Sequence, residues 1–198
     1  MSATILASGQ LEVDSDFPSA SFSVEEYLQM VQMGAFDDVG RIELLEGRLV
    51  RKMTKNPPHA VALGLLDDCL TDRIPDGWYV ANQESIQLDD SVPEPDLMIV
   101  AGKRRDYLKQ HPTPNDVALL VEVADTSLSK DRRKGLVYAK NSVQVYWIVN
   151  LVDEQVEVHQ QPEGTGYPKV TIYHRGDEVP CVIGESTCAN ILVDEILP

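Results

Sequence analysis

Glu122 is the one charged residue in the run Val117-Ala118-Leu119-Leu120-Val121-Glu122-Val123-Ala124. An apolar run of this length reads as a strand buried on both faces. A carboxylate there is costly unless it is protonated, paired with a cation, or bound to a metal. A second acid, Asp96, stands at the start of another apolar segment, Pro95-Asp96-Leu97-Met98-Ile99-Val100. If the two strands are antiparallel neighbours, the start of one lies beside the end of the other, about 4.8 Å away. Two carboxylates converging in this way make a hard-oxygen site suited to Mg²⁺ or Mn²⁺. The segment 128–140 offers the counter-charge. Asp131, Lys134 and Tyr138 fall at i, i+3 and i+7 on one helical face, and Lys130 is an i, i+4 neighbour of Lys134. A lysine packed against two carboxylates can orient a water or stabilise charge on a phosphoryl oxygen.

The elements that must position these groups can be read in order. Ser23 followed by Glu26 is a capping-box pattern and opens a short helix. Residues 41–53 alternate and turn at Glu46-Gly47-Arg48, as a β-hairpin does. Pro57-Pro58 breaks the chain. His59 then opens a helix to about Ile74, with Leu63, Leu66, Leu70 and Ile74 on one face. Strands are expected over 78–88, 95–100, 117–124 and 143–149, with a helix over 128–140. Further strands are expected near 154–160, 168–174 and 178–193. The 117–124 strand, the 128–140 helix and the 143–150 strand form a βαβ unit, whose two strands are parallel. The earlier strands have shorter links and are expected to be antiparallel. The fold class is therefore α+β, a mixed sheet flanked by helices.

With 198 residues the chain has room for one sizeable core. Residues 1–21, rich in Ser, Ala, Asp and Glu, read as a loose N-terminal tail, and 22–198 as a single domain. The tail has no basic segment, so no secretory signal is expected, and no apolar stretch approaches the roughly 20 residues of a membrane span. Cys69, Cys181 and Cys188 are odd in number and lack C-x-x-C spacing. They read as reduced thiols in a cytoplasmic protein rather than as a disulfide framework or zinc site. The net charge of −15 argues against a general nucleic-acid coat protein. Yet 13 of the 17 Lys and Arg residues lie in three segments, 48–55, 103–109 and 130–140. Such patches could receive a phosphate backbone or simply balance nearby acids. There is no Gly-rich phosphate loop, H-x-x-x-H pair or G-x-S-x-G elbow.

Asp96, then Glu122-Val123-Ala124 on a strand, in a helix, three strands, helix, strand order, resembles the PD-(D/E)xK nuclease superfamily. The closer resemblance is to the restriction-endonuclease family called Uma-two-like. It is carried by Glu43-Leu44-Leu45-Glu46-Gly47, Pro57-Pro58-His59, Pro95-Asp96-Leu97, Leu120-Val121-Glu122-Val123, Asp131 through Lys134 to Tyr138, and Tyr146-Trp147-Ile148-Val149. The resemblance implies a restriction-endonuclease-like core with extra C-terminal strands, and a Mg²⁺-dependent endonuclease that hydrolyses DNA. The catalytic set it implies is Asp96, Glu122 and Lys134, with metal held by Asp96, Glu122 and the Val123 carbonyl. Glu46 is a further candidate ligand from the hairpin or else a turn glutamate. His59 is a phosphate contact or a helix-end residue, and Tyr138 supports the lysine's face. A homodimer also fits the resemblance. One departure stands out: the superfamily's lysine two residues after the acid is here Ala124, and Lys134 matches the place on the following helix to which the resemblance implies that the lysine has moved. The competing expectation is a nuclease-fold protein that binds or regulates without cutting.

Overall fold

The computed structural model describes residues 20–52 and 55–198. Most of the expected tail, 1–21, lies outside these residues. Among the described residues the architecture is α+β, with a six-stranded mixed sheet, two small hairpins and four α-helices.

The chain opens with α1 (Val24–Gln32), closed by the reciprocal Ser23–Glu26 capping box. Next comes a hairpin of β1 (Ile42–Leu45) and β2 (Arg48–Arg51). Its two-residue turn places Glu46 at φ 48° and Gly47 at φ 74°, the paired left-handed geometry that matches strand twist. A side chain at 47 would also meet Ser21 Cβ at 3.0 Å. Leu44 packs with Tyr27 and Val92 in a small satellite core, and the Tyr27 hydroxyl donates to the Ile42 carbonyl at 2.7 Å. A β-bridge from Leu44 to Val92 ties the hairpin to the segment leading into Asp96.

Helix α2 (Pro57–Thr71) begins two residues before the expected His59. The prolines do not break the chain there. They occupy the first helical turn, where a missing N–H costs nothing, and the Asn56 side chain caps by accepting from His59 N. The central sheet runs β3 (Trp78–Asn82), β4 (Leu97–Ala101), β5 (Val117–Ala124), β6 (Val145–Asn150), β7 (Gln155–Gln160) and β8 (Lys169–His174), in that spatial order. Among the described residues only the β5–β6 pair is parallel, and α3 (Leu128–Lys140) makes its crossover. The C-terminal part adds a hairpin of β9 (Glu178–Ile183) and β10 (Ser186–Leu192), then α4 (Val193–Ile196).

Alternation sorts β4 and β5 between two cores. Leu97, Ile99, Leu119, Val121 and Val123 pack against α2 and the C-terminal elements. Met98, Val100, Leu120 and Ala124 pack on the α3 side, with Tyr138 and Tyr146. Glu122 shares the parity of Leu120 and Ala124 and so belongs to the face that α3 covers, while Asp96 stands just before β4, at the end of the sheet. Gly135 lets the helix sit close, since a Cβ there would lie 3.2 Å from the Tyr146 ring.

Candidate active site

The β4–β5 ladder ends at the Leu97–Val121 pair. One step further, side chain replaces backbone: Val123 N donates to Asp96 Oδ2 at 3.0 Å. In a strand, a residue's N–H and C=O point to the same side. The Val123 carbonyl is thus also turned toward the edge where Asp96 sits.

Asp96 gathers basic side chains. His59 Nε2 is 3.0 Å from Oδ2, while Lys52 and Lys55 Nζ lie 3.3 and 3.4 Å from Oδ1. Burial by itself would raise this carboxyl. The His59 hydrogen bond, the Lys52 charge and the Val123 N–H outweigh burial and hold it far below the usual carboxylate range. Lys55 is pushed down by its own burial, a shift that Asp96 only partly offsets.

Glu122 is bound differently. Its Oε1 accepts from Lys134 Nζ and from the Tyr138 hydroxyl, both at 2.9 Å. Lys134 reaches a second acid at the same distance, Glu43 Oε2 on β1. Glu43 also accepts from Glu94 N at 3.3 Å and lies 3.5 Å from Lys130 Nζ. All three side chains of the Glu43–Lys134–Glu122 bridge are at most 4 % exposed. Burial works against the Lys134 cation, but the charges of Glu122 and Glu43 win and raise its pKa. Burial pushes the Glu122 carboxyl up, against the pull of Lys134. Asp131, one turn earlier on α3, accepts from Ser127 Oγ. Its carboxyl is pushed up to about 7 by burial and by the charge of Glu122.

Asp96, Glu122, Lys134, His59 and Asp131 line one cavity of about 70 Å³, with Lys52, Lys55 and Lys130 also on its wall. Asp96, Glu122 and Lys134 therefore meet in one place, with basic residues around them. Tyr138 stands behind Glu122, fully buried. Glu46 does not join them. It is exposed on the hairpin turn, its N–H bound to Ser91 Oγ. Strand parity explains this: Leu44 faces the satellite core, so Glu43 faces the lysine. Glu43 carries the same signal as Glu122, an acid inside an apolar strand segment. Two of the three basic segments, 48–55 and 130–140, converge on the cavity. The third does not. Its Arg104 pairs with Glu84 and lies over the Tyr79 ring at 4.9 Å.

The donors present suit a hard cation. Asp96 Oδ1 is buried and accepts no hydrogen bond among the described residues, and Glu122 and Val123 line the same cavity. Two carboxylates and a backbone carbonyl, completed by water, are an ordinary Mg²⁺ set. Among the described residues there is no cluster of three or more His, Cys, Asp or Glu side chains placed to hold a metal. No helix among them is long and apolar enough to cross a membrane.

A family model, Uma2, described as "Putative restriction endonuclease", matches residues 24–186. Among solved structures, the chain is similar to one described as a putative nuclease belonging to DUF820 from Anabaena variabilis ATCC 29413. The identity is 14 % and the TM-score 0.67, over 88 % of this chain and 97 % of that one. At that identity the likeness is one of fold. No curated protein matches the chain.

Proposed function

Because the chain belongs to the Uma2 family, we propose that it is a metal-dependent endonuclease hydrolysing DNA phosphodiester bonds at the cavity between β4, β5 and α3. The observation that carries this reading is the meeting of Asp96, Glu122 and Lys134 on one cavity wall, ringed by Lys52, Lys55, His59 and Lys130. Asp96, Glu122 and the Val123 carbonyl would hold Mg²⁺ or Mn²⁺. When bound, the ion supplies Lewis acidity toward a phosphoryl oxygen and a water.

The remaining work falls to side chains. Lys134, fixed between Glu122 and Glu43, would orient the attacking water or screen negative charge that develops on the phosphoryl group. Tyr138 and Glu43 hold that lysine and its partner in place. Asp131, with a carboxyl near 7, is suited to taking up the proton that the water loses. Lys52, Lys55 and His59 would receive phosphate oxygens of the backbone.

The test is purified protein on plasmid and single-stranded DNA with Mg²⁺ or Mn²⁺, beside Glu122→Ala and Lys134→Ala. Cleavage by wild type that both variants lose supports the reading. Equal cleavage by all three, or none by any, overturns it. One observation favours a second reading, a nuclease-fold protein that binds without cutting: Lys52, Lys55 and His59 already surround Asp96. Stabilisation by DNA or metal without cleavage would support that alternative.

A further inference from the structure

A second, larger cavity of about 520 Å³ lies beside the first, between the β1–β2 hairpin and α3. Its lining is divided. Leu45, Val50 and Val137 are apolar, while Arg48, Lys130 and Arg133 are cationic. Lys130 and Lys134 line both cavities, so the two share a wall. The strand β2 links them as well. Alternation puts Arg48, Val50 and the following Lys52 on one side of the strand, and Lys52 ends at Asp96. One cationic track therefore runs from the hairpin groove into the candidate active site.

The outer cations are available. Arg48 and Arg133 are exposed, and among the described residues neither forms an ion pair, unlike Arg132, which is tied to Glu157. On a chain of net charge −15, two arginines left over at the mouth of an apolar-floored groove call for an anion. The floor narrows the choice. In a duplex the base faces are stacked away, and only the backbone could meet the groove. An unpaired nucleotide presents both an apolar base face and a phosphate. The groove is in the size range of small-ligand sites, whereas the active-site cavity is far smaller. Glu46 also lines the groove. Its carboxylate repels phosphate and accepts from the exocyclic amine of a base.

We propose that this groove seats an unpaired nucleotide of the DNA strand whose neighbouring phosphate lies against Asp96 and Lys134, which makes single-stranded or locally opened DNA the preferred substrate. The orientation of that strand rests on the nuclease reading above.

The test uses the full chain and the double variant Arg48→Ala/Arg133→Ala, whose changes are exposed and outside the catalytic set. Binding is read by fluorescence anisotropy of a labelled single-stranded oligonucleotide and a blunt duplex of the same sequence, in EDTA, over a KCl series. Activity is read on the oligonucleotide and on bis(p-nitrophenyl) phosphate, a diester with no neighbouring nucleotide for the groove to seat. The single strand is expected to bind more tightly than the duplex. The double variant should lower the log–log salt slope for the single strand by about 1.4, two contacts at about 0.7 each. It should cut oligonucleotide kcat/KM on the order of tenfold and leave hydrolysis of the small diester unchanged. A duplex that binds as tightly as the single strand, or an unchanged salt slope in the variant, overturns the proposal. Failure of the wild type to hydrolyse the small diester counts against the nuclease reading instead, and the anisotropy arm still decides the groove.

Discussion

Replacing Lys134 by methionine would leave Glu122 and Glu43 in a buried space with no cation between them. Methionine keeps most of the stem and its packing, so the change isolates the charge. The lysine lies 2.9 Å from both carboxylates, and none of the three side chains is more than 4 % exposed. Removing one member of a buried ion pair costs about 3–5 kcal/mol, because the charge left behind is uncompensated. An exposed pair would cost about 0.2–1 kcal/mol. The Tyr138 hydroxyl still donates to Glu122, which favours the lower part of the first range. The loss must depend on pH. Burial already raises the Glu122 carboxyl, and without the pull of Lys134 it rises further above its unfolded value, so the folded variant binds a proton more tightly than the unfolded chain does. Its stability is then greatest at low pH and falls as pH rises, each unit of upward shift costing about 1.4 kcal/mol once pH exceeds the folded pKa. Urea unfolding of wild type, Lys134→Met, Glu122→Gln and the double variant at pH 5 and pH 8 reads this directly. The single lysine variant should lose about 3 kcal/mol or more at pH 8 and clearly less at pH 5. The double variant should lose less than the sum of its parts. A loss below about 1 kcal/mol at pH 8, or one equal at both pH values, would refute a buried Glu43–Lys134–Glu122 bridge.

Asp131 titrates at about 7 in the fold against an ordinary value of 3.8, so the folded state holds its proton more tightly and wild-type stability should fall between about pH 4 and 7. Asp131→Asn should remove that fall, as read by urea midpoints across the range; an unchanged slope would show that the carboxyl is not perturbed. Tyr138→Phe deletes the hydroxyl that donates to buried Glu122 and should cost about 1–3 kcal/mol by thermal or urea unfolding. Gly135→Ala gains about 1 kcal/mol of helix propensity but drives a Cβ to 3.2 Å from the fully buried Tyr146 ring. Tyr146 also donates to the Asp131 carbonyl at 3.0 Å and cannot turn freely. Net destabilisation is expected, with a larger loss of any DNA cleavage than of stability, because α3 carries Lys134.

The parts of the fold legible in the sequence are those where one signal dominates. The run Val117–Ala124 and the helix Leu128–Lys140 are bounded as expected, since an apolar strand and a charged amphipathic helix leave little choice. The expected 78–88 strand stops at Asn82. Gln83 takes φ 53°, and residues 86–88 bond to Pro93, Pro112 and Ser91 rather than to the sheet. The expected 178–193 strand is two strands, because Gly184 at φ 64° turns the chain. Glu122 stands out as an acid inside an apolar run, whereas Asp96 and Lys134 are singled out by the strand topology, the helical spacing and the family resemblance. Glu43 carries a signal of its own, an acid between apolar strand residues, but what it, Lys52 and Lys55 touch depends on how the hairpin docks. That docking rests on Leu44, Tyr27 and Val92, residues far apart in the chain.

The proposed role of Lys134 depends on the packing at Ala124. That alanine is fully buried beneath α3, in the same cluster as Tyr138 and Ile148. A lysine on that strand position would have to displace the helix. With alanine there, α3 packs down on the sheet and its own Lys134 arrives beside Glu122 from above. The cation is then tied to helix packing rather than to strand register. Its placement depends on Gly135 against Tyr146, on Tyr138 behind Glu122, and on Glu43 from a hairpin outside the sheet. Substitutions in any of these should move the lysine while leaving Asp96 and its contact with Val123 N in place. In a protein whose lysine shared the strand with its acid, the same helix substitutions would leave both together. Under the nuclease reading proposed above, activity should therefore be sensitive to α3 packing and not to the β4–β5 register.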